Sequence, residues 1–285
     1  MSGRVVVGND VRTGVVFSSG FFGFFAHAGF LSALRQARIT AAGYGGASSG
    51  AIVAAMAAAG MSDDAVRAVL FNLKRADFWD PDPPATILRA ALRLFKGYGG
   101  YLKGEQLLRL LAKIPIRRIE DCAIPLLICA TDLALQREAL FVKGDLARSL
   151  QASSAVPVLF KPVRMNGSLY VDGGVVNKAP ALALADHIGA ERIIVHFIGS
   201  ENLNVPANRV TERRMTPWCI HHLSVNIARY EAYRRQLDAL ERLGVEVVEV
   251  RTQAPALGPN RLERGPSAYR RAREAALRVL YDRLA

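Results

Sequence analysis

Gly46-Ala47-Ser48-Ser49-Gly50 has the form G-x-S-x-G and places a nucleophilic side chain at a tight turn just before a helix start. Ala42–Tyr44 can end a short strand, and the run Ala51–Ala59 favours a helix that stops at Gly60. A strand, a sharp turn and a helix in this order predict a serine in a strained elbow, with its hydroxyl in a cleft. The alternative is a Gly/Ser loop whose serines only cap the helix.

The composition indicates a globular protein. The chain has 285 residues, of which 51% are apolar, enough to bury a sizeable core. No signal-peptide pattern precedes Val5, and the three cysteines form no C-x-x-C pair, which fits a reducing, cytoplasmic compartment. Thr13–Leu34 and Ile39–Ser62 lack charged residues but are interrupted by Gly and Ser clusters. We therefore expect core helices there and not membrane spans.

Apolar runs and helical spacing predict an α/β domain. Valine-rich or continuous apolar runs predict strands at Arg4–Val7, Gly14–Phe17, Ile124–Ala130, Ala139–Val142, Leu169–Val171, Arg192–Phe197 and Val245–Val250. Helices are predicted at Phe24–Gln36, Met61–Ala76, Ala85–Lys96, Lys103–Lys113, Asp145–Gln151, from Pro180, at Leu223–Leu243 and at Arg261–Ala285. We expect one domain over residues 1–285, with a helical excursion at 61–115 that caps the site and a C-terminal extension of helix and strand at 203–285.

The net charge of +12 is concentrated in one segment. Residues 85–118 hold eight Lys or Arg and one acidic residue, Glu105. Within them an apolar stripe is edged by basic residues one position later: Leu88, Leu92 and Phe95, with Arg89, Arg93 and Lys96. Such a helix suits peripheral contact with an anionic membrane. The alternative is a stripe packed on the core with its charges in water. No nucleic-acid-binding motif accompanies the basic residues.

Two further elements resemble parts of a catalytic site. The loop around Gly20 and Gly23 leads into a helix, so its N–H groups are candidates for an oxyanion hole. Asp172-Gly173-Gly174 follows a predicted strand and places a carboxylate where the space above it stays open. A plain tight turn and an ordinary Asp-Gly turn are the alternatives.

A nucleophilic serine needs a base, and Asp172 is the best candidate. His27 lies on a helix that is apolar all round, as expected of a hydrogen-bonded core histidine. None of the later histidines, His187, His196, His221 and His222, lies in a loop that resembles a site. Adjacent His221 and His222 would not face a common metal ion on a helix. We expect no metal and no cofactor.

Taken together, these stretches resemble the patatin-like phospholipase family. The resemblance covers residues 14–200 and is carried by Gly20-Phe21-Phe22-Gly23, Gly46–Gly50, Cys129-Ala-Thr-Asp-Leu133, Ala152-Ser-Ser-Ala-Val-Pro157 and Asp172-Gly-Gly174. It implies a three-layer α/β/α fold with a mainly parallel central sheet. It also implies a Ser-Asp dyad that hydrolyses acyl esters of lipids.

The resemblance assigns roles to individual residues. It implies Ser48 as nucleophile, Asp172 as proton acceptor, and N–H groups of Gly20, Phe21 and Ser49 as the oxyanion hole. The supporting loop glycines are Gly23, Gly46, Gly50, Gly173 and Gly174. Ser18-Ser19-Gly20 stands where the family usually has three glycines, so the choice of inward-pointing N–H groups stays open. An acyltransferase of the same fold, or a basic lipid-binding protein without activity, remains an alternative. The pattern predicts no oligomeric state.

Overall fold

The computed structural model describes residues 11–200, 216–254 and 257–284, so the strand predicted at Arg4–Val7 lies outside the described residues. The strands are β1 (Thr13–Phe17), β2 (Gly43–Ala47), β3 (Gly100–Leu102), β4 (Leu126–Asp132), β5 (Arg137–Phe141), β6 (Val158–Phe160), β7 (Val163–Met165), β8 (Ser168–Asp172), β9 (Arg192–Ser200) and β10 (Glu246–Ala254). The helices are α1 (Phe24–Gln36), α2 (Ser49–Ala58), α3 (Asp63–Phe71), α4 (Pro84–Leu92), α5 (Glu105–Leu111), α6 (Leu146–Ser153), α7 (Ala181–Ile188), α8 (Pro217–Arg242) and α9 (Gly265–Leu284).

The central sheet is mainly parallel. Strands β10, β9, β1, β2 and β4 lie side by side in that order and all run in the same direction. Strands β5 and β8 pair antiparallel with β4, and β7 pairs antiparallel with β8. The expected α/β fold with a mainly parallel sheet is confirmed.

Both faces of the sheet are covered by helices, which explains the continuous apolar strands. On β1, Val15 and Phe17 belong to the core shared with α1, α2 and α9. Val16, between them, points to the opposite core, which is shared with α7 and α8. Alternate residues of one strand therefore fill two separate cores, and the layers are α/β/α.

Strand β4 has different partners along its two edges, and this pairing positions the site. Strand β5 lies along one edge of β4 from Ile128 to Asp132. The other edge is shared: β2 pairs as far as Cys129, and β8 pairs from Ala130 onward. Because β2 is parallel to β4 and β8 is antiparallel, the carboxyl ends of β2 and β8 meet at adjacent positions of β4.

Residues 61–115 differ from the expected purely helical segment. They contain α3, α4 and α5, and also strand β3, which pairs in parallel with β6. The run Gly97-Tyr98-Gly99-Gly100 interrupts the helical pattern, and Leu102 of β3 is fully buried. The segment is thereby tied to the body of the domain by backbone pairing as well as by side chains.

Helix α4 ends earlier than predicted and faces water. It stops at Leu92, because Leu94 and Phe95 adopt left-handed φ angles of 51° and 57°. Leu88, Leu92 and Phe95 are 64%, 79% and 54% exposed. The alternative in which this stripe packs onto the core is therefore wrong.

Candidate active site

Ser48 occupies the elbow between β2 and α2. Its φ and ψ are 54° and −125°, a region that costs a non-glycine residue on the order of 1–3 kcal/mol. The strain is sustained by close packing, since a side chain on Gly50 would collide with the carbonyls of Phe17 and Ser18. Gly46 packs against the backbone of Gly50 in the same way. The elbow holds the serine at the top of the sheet, where it is 8% exposed.

A second serine, Ser153, is hydrogen-bonded to the turn that holds Ser48. The Ser48 N–H donates to Ser153 Oγ at 2.8 Å, and Ser153 Oγ donates to the Cys129 carbonyl at 2.6 Å. Ser153 is fully buried at the end of α6, so it connects the turn to β4. The sequence pattern around Ser153 predicts no role for it. The only available signal was its place in the run Ala152–Pro157.

Asp172 ends β8 next to Ser48. The register pairs Ala47 with Cys129 and Asp172 with Ala130, so the two site residues emerge where their strands meet. The Asp172 backbone is fixed on both sides: its N–H donates to the Ala155 carbonyl at 2.9 Å, and its carbonyl accepts from Thr131 Oγ1 at 2.8 Å. Its carboxylate Oδ1 accepts from the Gly174 N–H at 2.7 Å.

The environment of Asp172 makes it a stronger base than an ordinary aspartate. Burial raises the pKa of Asp172 to about 6, against the opposing effects of the Ser48 hydroxyl, the Gly174 N–H and the Arg229 guanidinium. A carboxylate with this pKa is ionised at neutral pH and can still accept a proton during a reaction. Gly173 begins a short 3-10 turn that packs against β4 and directs the chain away from the carboxylate.

The glycine loop lies beside the elbow. Ser49 Oγ donates to the Gly20 carbonyl at 2.7 Å, and the Gly23 N–H donates to the same carbonyl at 2.9 Å. Among the described residues, the N–H groups of Gly20 and Phe21 have no acceptor. The Ser49 N–H is at the first position of α2, where N–H groups lack partners inside the helix. These three N–H groups are therefore without a hydrogen-bond acceptor among the described residues.

The histidine side chains that the structure describes are either hydrogen-bonded in the core or exposed on α7. His27 and His196 are both fully buried, and burial lowers the pKa of His27 to about 3 and that of His196 well below its ordinary value. The expectation that His27 is a hydrogen-bonded core residue is confirmed. His187 is exposed on α7. The side chains of His221 and His222 lie outside the described residues.

An apolar pocket of about 190 Å³ opens at Ser48 and Ser49. One wall is the glycine loop with Phe21, Phe22 and Phe24. The segment 61–115 supplies most of the remaining wall, including Leu70, Leu73, Phe78, Trp79, Leu107 and Leu111. Such a pocket suits a flexible hydrocarbon chain. Within the described part of the chain, no group of His, Cys, Asp and Glu side chains could hold a metal ion.

Comparison with known proteins agrees with this geometry. A family model described as Patatin-like phospholipase matches residues 15–185. An uncharacterized NTE family protein of Mycobacterium tuberculosis is 29% identical over 200 residues, which make up 70% of this chain and 52% of that protein. Human patatin-like phospholipase domain-containing protein 6 is 26% identical over 202 residues, 70% of this chain and 14% of that protein. The chain thus spans about half the length of this mycobacterial relative and a small part of the human one.

A solved structure shares the fold. The crystal structure of VipD from Legionella pneumophila superposes with a TM-score of 0.51 at 15% identity, covering 96% of this chain and 67% of that chain. An elbow serine on a parallel sheet, beside a buried carboxylate and free N–H groups, is the kind of site found in serine hydrolases. The chain belongs to the patatin-like phospholipase family, whose model matches more than half of its length. In the described residues, no helix is both long and apolar enough to cross a bilayer.

Proposed function

We propose that this chain is a serine lipid acyl hydrolase, a phospholipase, lysophospholipase or esterase, in which Ser48 is the nucleophile and Asp172 its proton acceptor. The meeting of β2 and β8 on one edge of β4 carries this proposal, because it brings the strained serine beside the buried carboxylate. The raised pKa of Asp172, about 6, supports its role as the base.

The acylation step follows from this arrangement. Ser48 Oγ attacks the acyl carbonyl carbon as Asp172 accepts the hydroxyl proton, and the carbonyl oxygen becomes an oxyanion. The N–H groups of Gly20, Phe21 and Ser49 are the proposed donors to that oxygen. Collapse of the tetrahedral intermediate breaks the bond to the alcohol oxygen. Asp172 returns its proton to that oxygen, which leaves an acyl ester on Ser48.

Deacylation repeats these steps with water. Asp172 takes a proton from a water molecule as the water oxygen attacks the acyl-enzyme carbonyl. The Ser48–acyl bond then breaks, Ser48 Oγ recovers the proton, and the fatty acid leaves. The apolar pocket beside Ser48 supports a long acyl chain as the group held during both steps.

We further propose that α4 brings the protein to an anionic membrane surface. Leu88 and Leu92 of the helix and Phe95 in the turn after it are exposed. Arg89 of the helix and Arg93 and Lys96 just after it are exposed as well and are in a position to meet lipid phosphates. Free thiols at Cys122 and Cys129 fit a reducing compartment, so we propose a cytoplasmic protein that contacts the membrane peripherally.

A fluorophosphonate probe tests the core of the proposal directly. The probe should label the wild-type protein on Ser48, as located by peptide mass spectrometry. Labelling of another residue, or no labelling alongside an absence of ester hydrolysis, would overturn the proposed function.

A further inference from the structure

The side chain of Arg229 on α8 contacts two loops of the candidate site. Its Nη2 donates to Ser19 Oγ, 3.3 Å away in the glycine loop, and its Nη1 donates to Asn226 Oδ1 at 3.1 Å on the same helix. Gly174, in the turn after Asp172, packs against the same guanidinium, since a Cβ there would lie 2.7 Å from Arg229 Nη2. Arg229 therefore joins the glycine loop to the Asp-Gly-Gly turn.

The groups around the guanidinium lead directly to the proposed base. The Gly174 N–H donates to Asp172 Oδ1 at 2.7 Å, while a Cβ on Gly174 would also collide with Ser19 Oγ. The Ser19 N–H donates to the Lys178 carbonyl at 2.7 Å, so the backbone of the glycine loop is fixed at the same point. Gly174 thus links the two charged groups: its N–H bonds to the carboxylate, and its α-carbon packs against the guanidinium.

The charges of Arg229 and Asp172 act on each other. Burial raises the pKa of Asp172, and the Arg229 charge opposes this effect. Burial also lowers the pKa of Arg229, and there the Asp172 charge is the opposing influence. Each group therefore stabilises the charged form of the other in a partly desolvated place.

The other titratable groups nearby cannot take the place of Arg229. The Cys129 thiol of β4 is also close to Asp172, but burial and the charge of Glu138 raise its pKa well above the ordinary value, so it stays neutral. Lys178 interacts with Arg229, and burial together with the Arg229 charge lowers its pKa to about 8. The positive charge that acts on the carboxylate is that of Arg229.

We propose that Arg229 is a positioning residue of the dyad, which ties the glycine loop to the turn after Asp172 and provides the positive charge that keeps the carboxylate ionised. Burial without a compensating charge favours the protonated form of a carboxyl group, which cannot act as a base. The inference rests on the proposed function and adds a residue to it. Arg229 lies outside residues 15–185, the part of the chain that the family model matches.

The test compares the pH dependence of kcat/KM for a soluble short-chain nitrophenyl ester in the wild type and in Arg229→Gln. Without the positive charge the pKa of Asp172 should rise, so the midpoint of the profile should move upward by about one pH unit or more. Arg229→Lys keeps the charge and should keep a midpoint close to that of the wild type. Arg234→Gln is the matched control, because Arg234 is an exposed arginine of the same helix and its loss should leave the midpoint unchanged.

Ser19→Ala separates the hydrogen bond from the charge. The variant removes the acceptor of Arg229 Nη2 but leaves both charges in place. The maximum of kcat should fall about threefold to tenfold, as for the loss of one hydrogen bond, while the midpoint stays. A maximum equal to that of the wild type would overturn the tie to the glycine loop.

The midpoint distinguishes this role from a merely structural one, since a loosened fold lowers the rate at every pH without moving the midpoint. A wild-type midpoint in Arg229→Gln, or an equal movement in Arg234→Gln, would overturn the inference. Failure of the proposed function itself looks different: the wild type would hydrolyse no ester, or Ser48→Ala would match it.

Asn226→Asp tests the charge if Arg229→Gln does not fold. Asn226 Oδ1 already accepts from Arg229 Nη1, and aspartate keeps this shape while it places a negative charge on the guanidinium. The added charge offsets that of Arg229, so the midpoint should again move upward. A midpoint unchanged in Asn226→Asp would overturn the inference.

Discussion

The Nδ1 atoms of His27 and His196 lie 2.7 Å apart in the centre of the domain, and this contact fixes the protonation of both rings. His27 Nε2 must donate to the Ser18 carbonyl, 2.7 Å away, because a carbonyl can only accept. A neutral His27 therefore accepts at Nδ1 from His196, whose Nε2 in turn accepts from Thr252 Oγ1 at 2.9 Å. The chain of hydrogen bonds leaves neither ring free to act as a base on Ser48.

His27→Gln should affect stability far more than catalysis. Burial lowers the pKa of His27 from 6.5 to about 3, so the folded state binds fewer protons than the unfolded state between these values. Stability from the neutral ring is present above pH 6.5 and is lost as pH falls toward 3. At neutral pH the free energy of unfolding of the variant should be lower by about 1–3 kcal/mol, because buried hydrogen bonds are lost. Its free energy of unfolding should also depend less on pH in the acid range. Thermal unfolding across this pH range measures both effects.

The catalytic activity of His27→Gln should change much less than its stability. Per folded molecule, His27→Gln should hydrolyse a short-chain nitrophenyl ester at a rate close to that of the wild type. A loss as large as that in Asp172→Asn would mean that a histidine belongs to the catalytic machinery.

Ser48→Ala should abolish ester hydrolysis and fluorophosphonate labelling while the protein stays folded. The side chain is the proposed nucleophile, and without it no acyl-enzyme forms. The backbone strain at position 48 remains in the variant, so unfolding temperature should change little. Persistent labelling of the variant would remove Ser48 from the mechanism.

Asp172 should set the pH dependence of activity. As the base it must be ionised, so kcat/KM should rise with pH through a pKa of about 6. Asp172→Asn should lower turnover by several orders of magnitude, since the proposed mechanism has no second base. A rate that is flat between pH 5 and 8 in the wild type would contradict this assignment.

The same carboxylate should reduce the stability of the fold. Its pKa is raised from 3.8 to about 6, so the folded state takes up a proton in this window, and stability falls as pH rises through it. Above pH 6 the cost is about 3 kcal/mol. Asp172→Asn keeps an acceptor for the Gly174 N–H and removes the charge. Its unfolding temperature should exceed that of the wild type at pH 8, with the difference narrowing toward pH 4.

The sequence was sufficient for those parts of the site that depend on local geometry. The elbow at Ser48 and the strand end at Asp172 lie where their turn residues predicted them, because a strained turn requires glycines at fixed neighbouring positions. The contact between them depends on two strands sharing one edge of β4, and no local pattern encodes that pairing. Ser153, 105 residues from Ser48, was missed for the same reason.

The amphipathic pattern of α4 shows another limit. Apolar residues at helical spacing occur both on helices that pack on a core and on helices that meet a lipid surface. Only the three-dimensional structure distinguishes these cases, and here the stripe faces water. Similarly, nothing near Arg229 in sequence indicated that its guanidinium would lie beside Ser19, 210 residues away.

Ser153→Ala should weaken catalysis by loosening the elbow. The variant leaves the Ser48 N–H without its acceptor, at a cost of about 1–3 kcal/mol for an unsatisfied buried donor. We expect kcat to fall about tenfold or more while KM changes little, since the side chain is a positioning group outside the apolar pocket. Ser149→Ala is the control, because Ser149 is buried on the same helix and bonds only to the Asp145 carbonyl. Equal kinetics for the two variants would show that the hydrogen bonds of Ser153 do not position Ser48.

Replacing Arg89, Arg93 and Lys96 by Gln should weaken binding to anionic vesicles. Each basic residue near such a surface contributes on the order of 1 kcal/mol, so three change the affinity by about two orders of magnitude. Sedimentation with phosphatidylserine-containing and purely zwitterionic vesicles, at low and high salt, measures the effect, because salt screens surface charges. The control replaces three exposed arginines of α8, Arg234, Arg235 and Arg242, and removes the same charge elsewhere.

Leu92→Gln tests the apolar part of the contact, since Leu92 is 79% exposed and its loss should weaken binding in high salt as well. If the α4 and α8 triple variants bind equally, the attraction is a property of the net charge and α4 is not the contact surface.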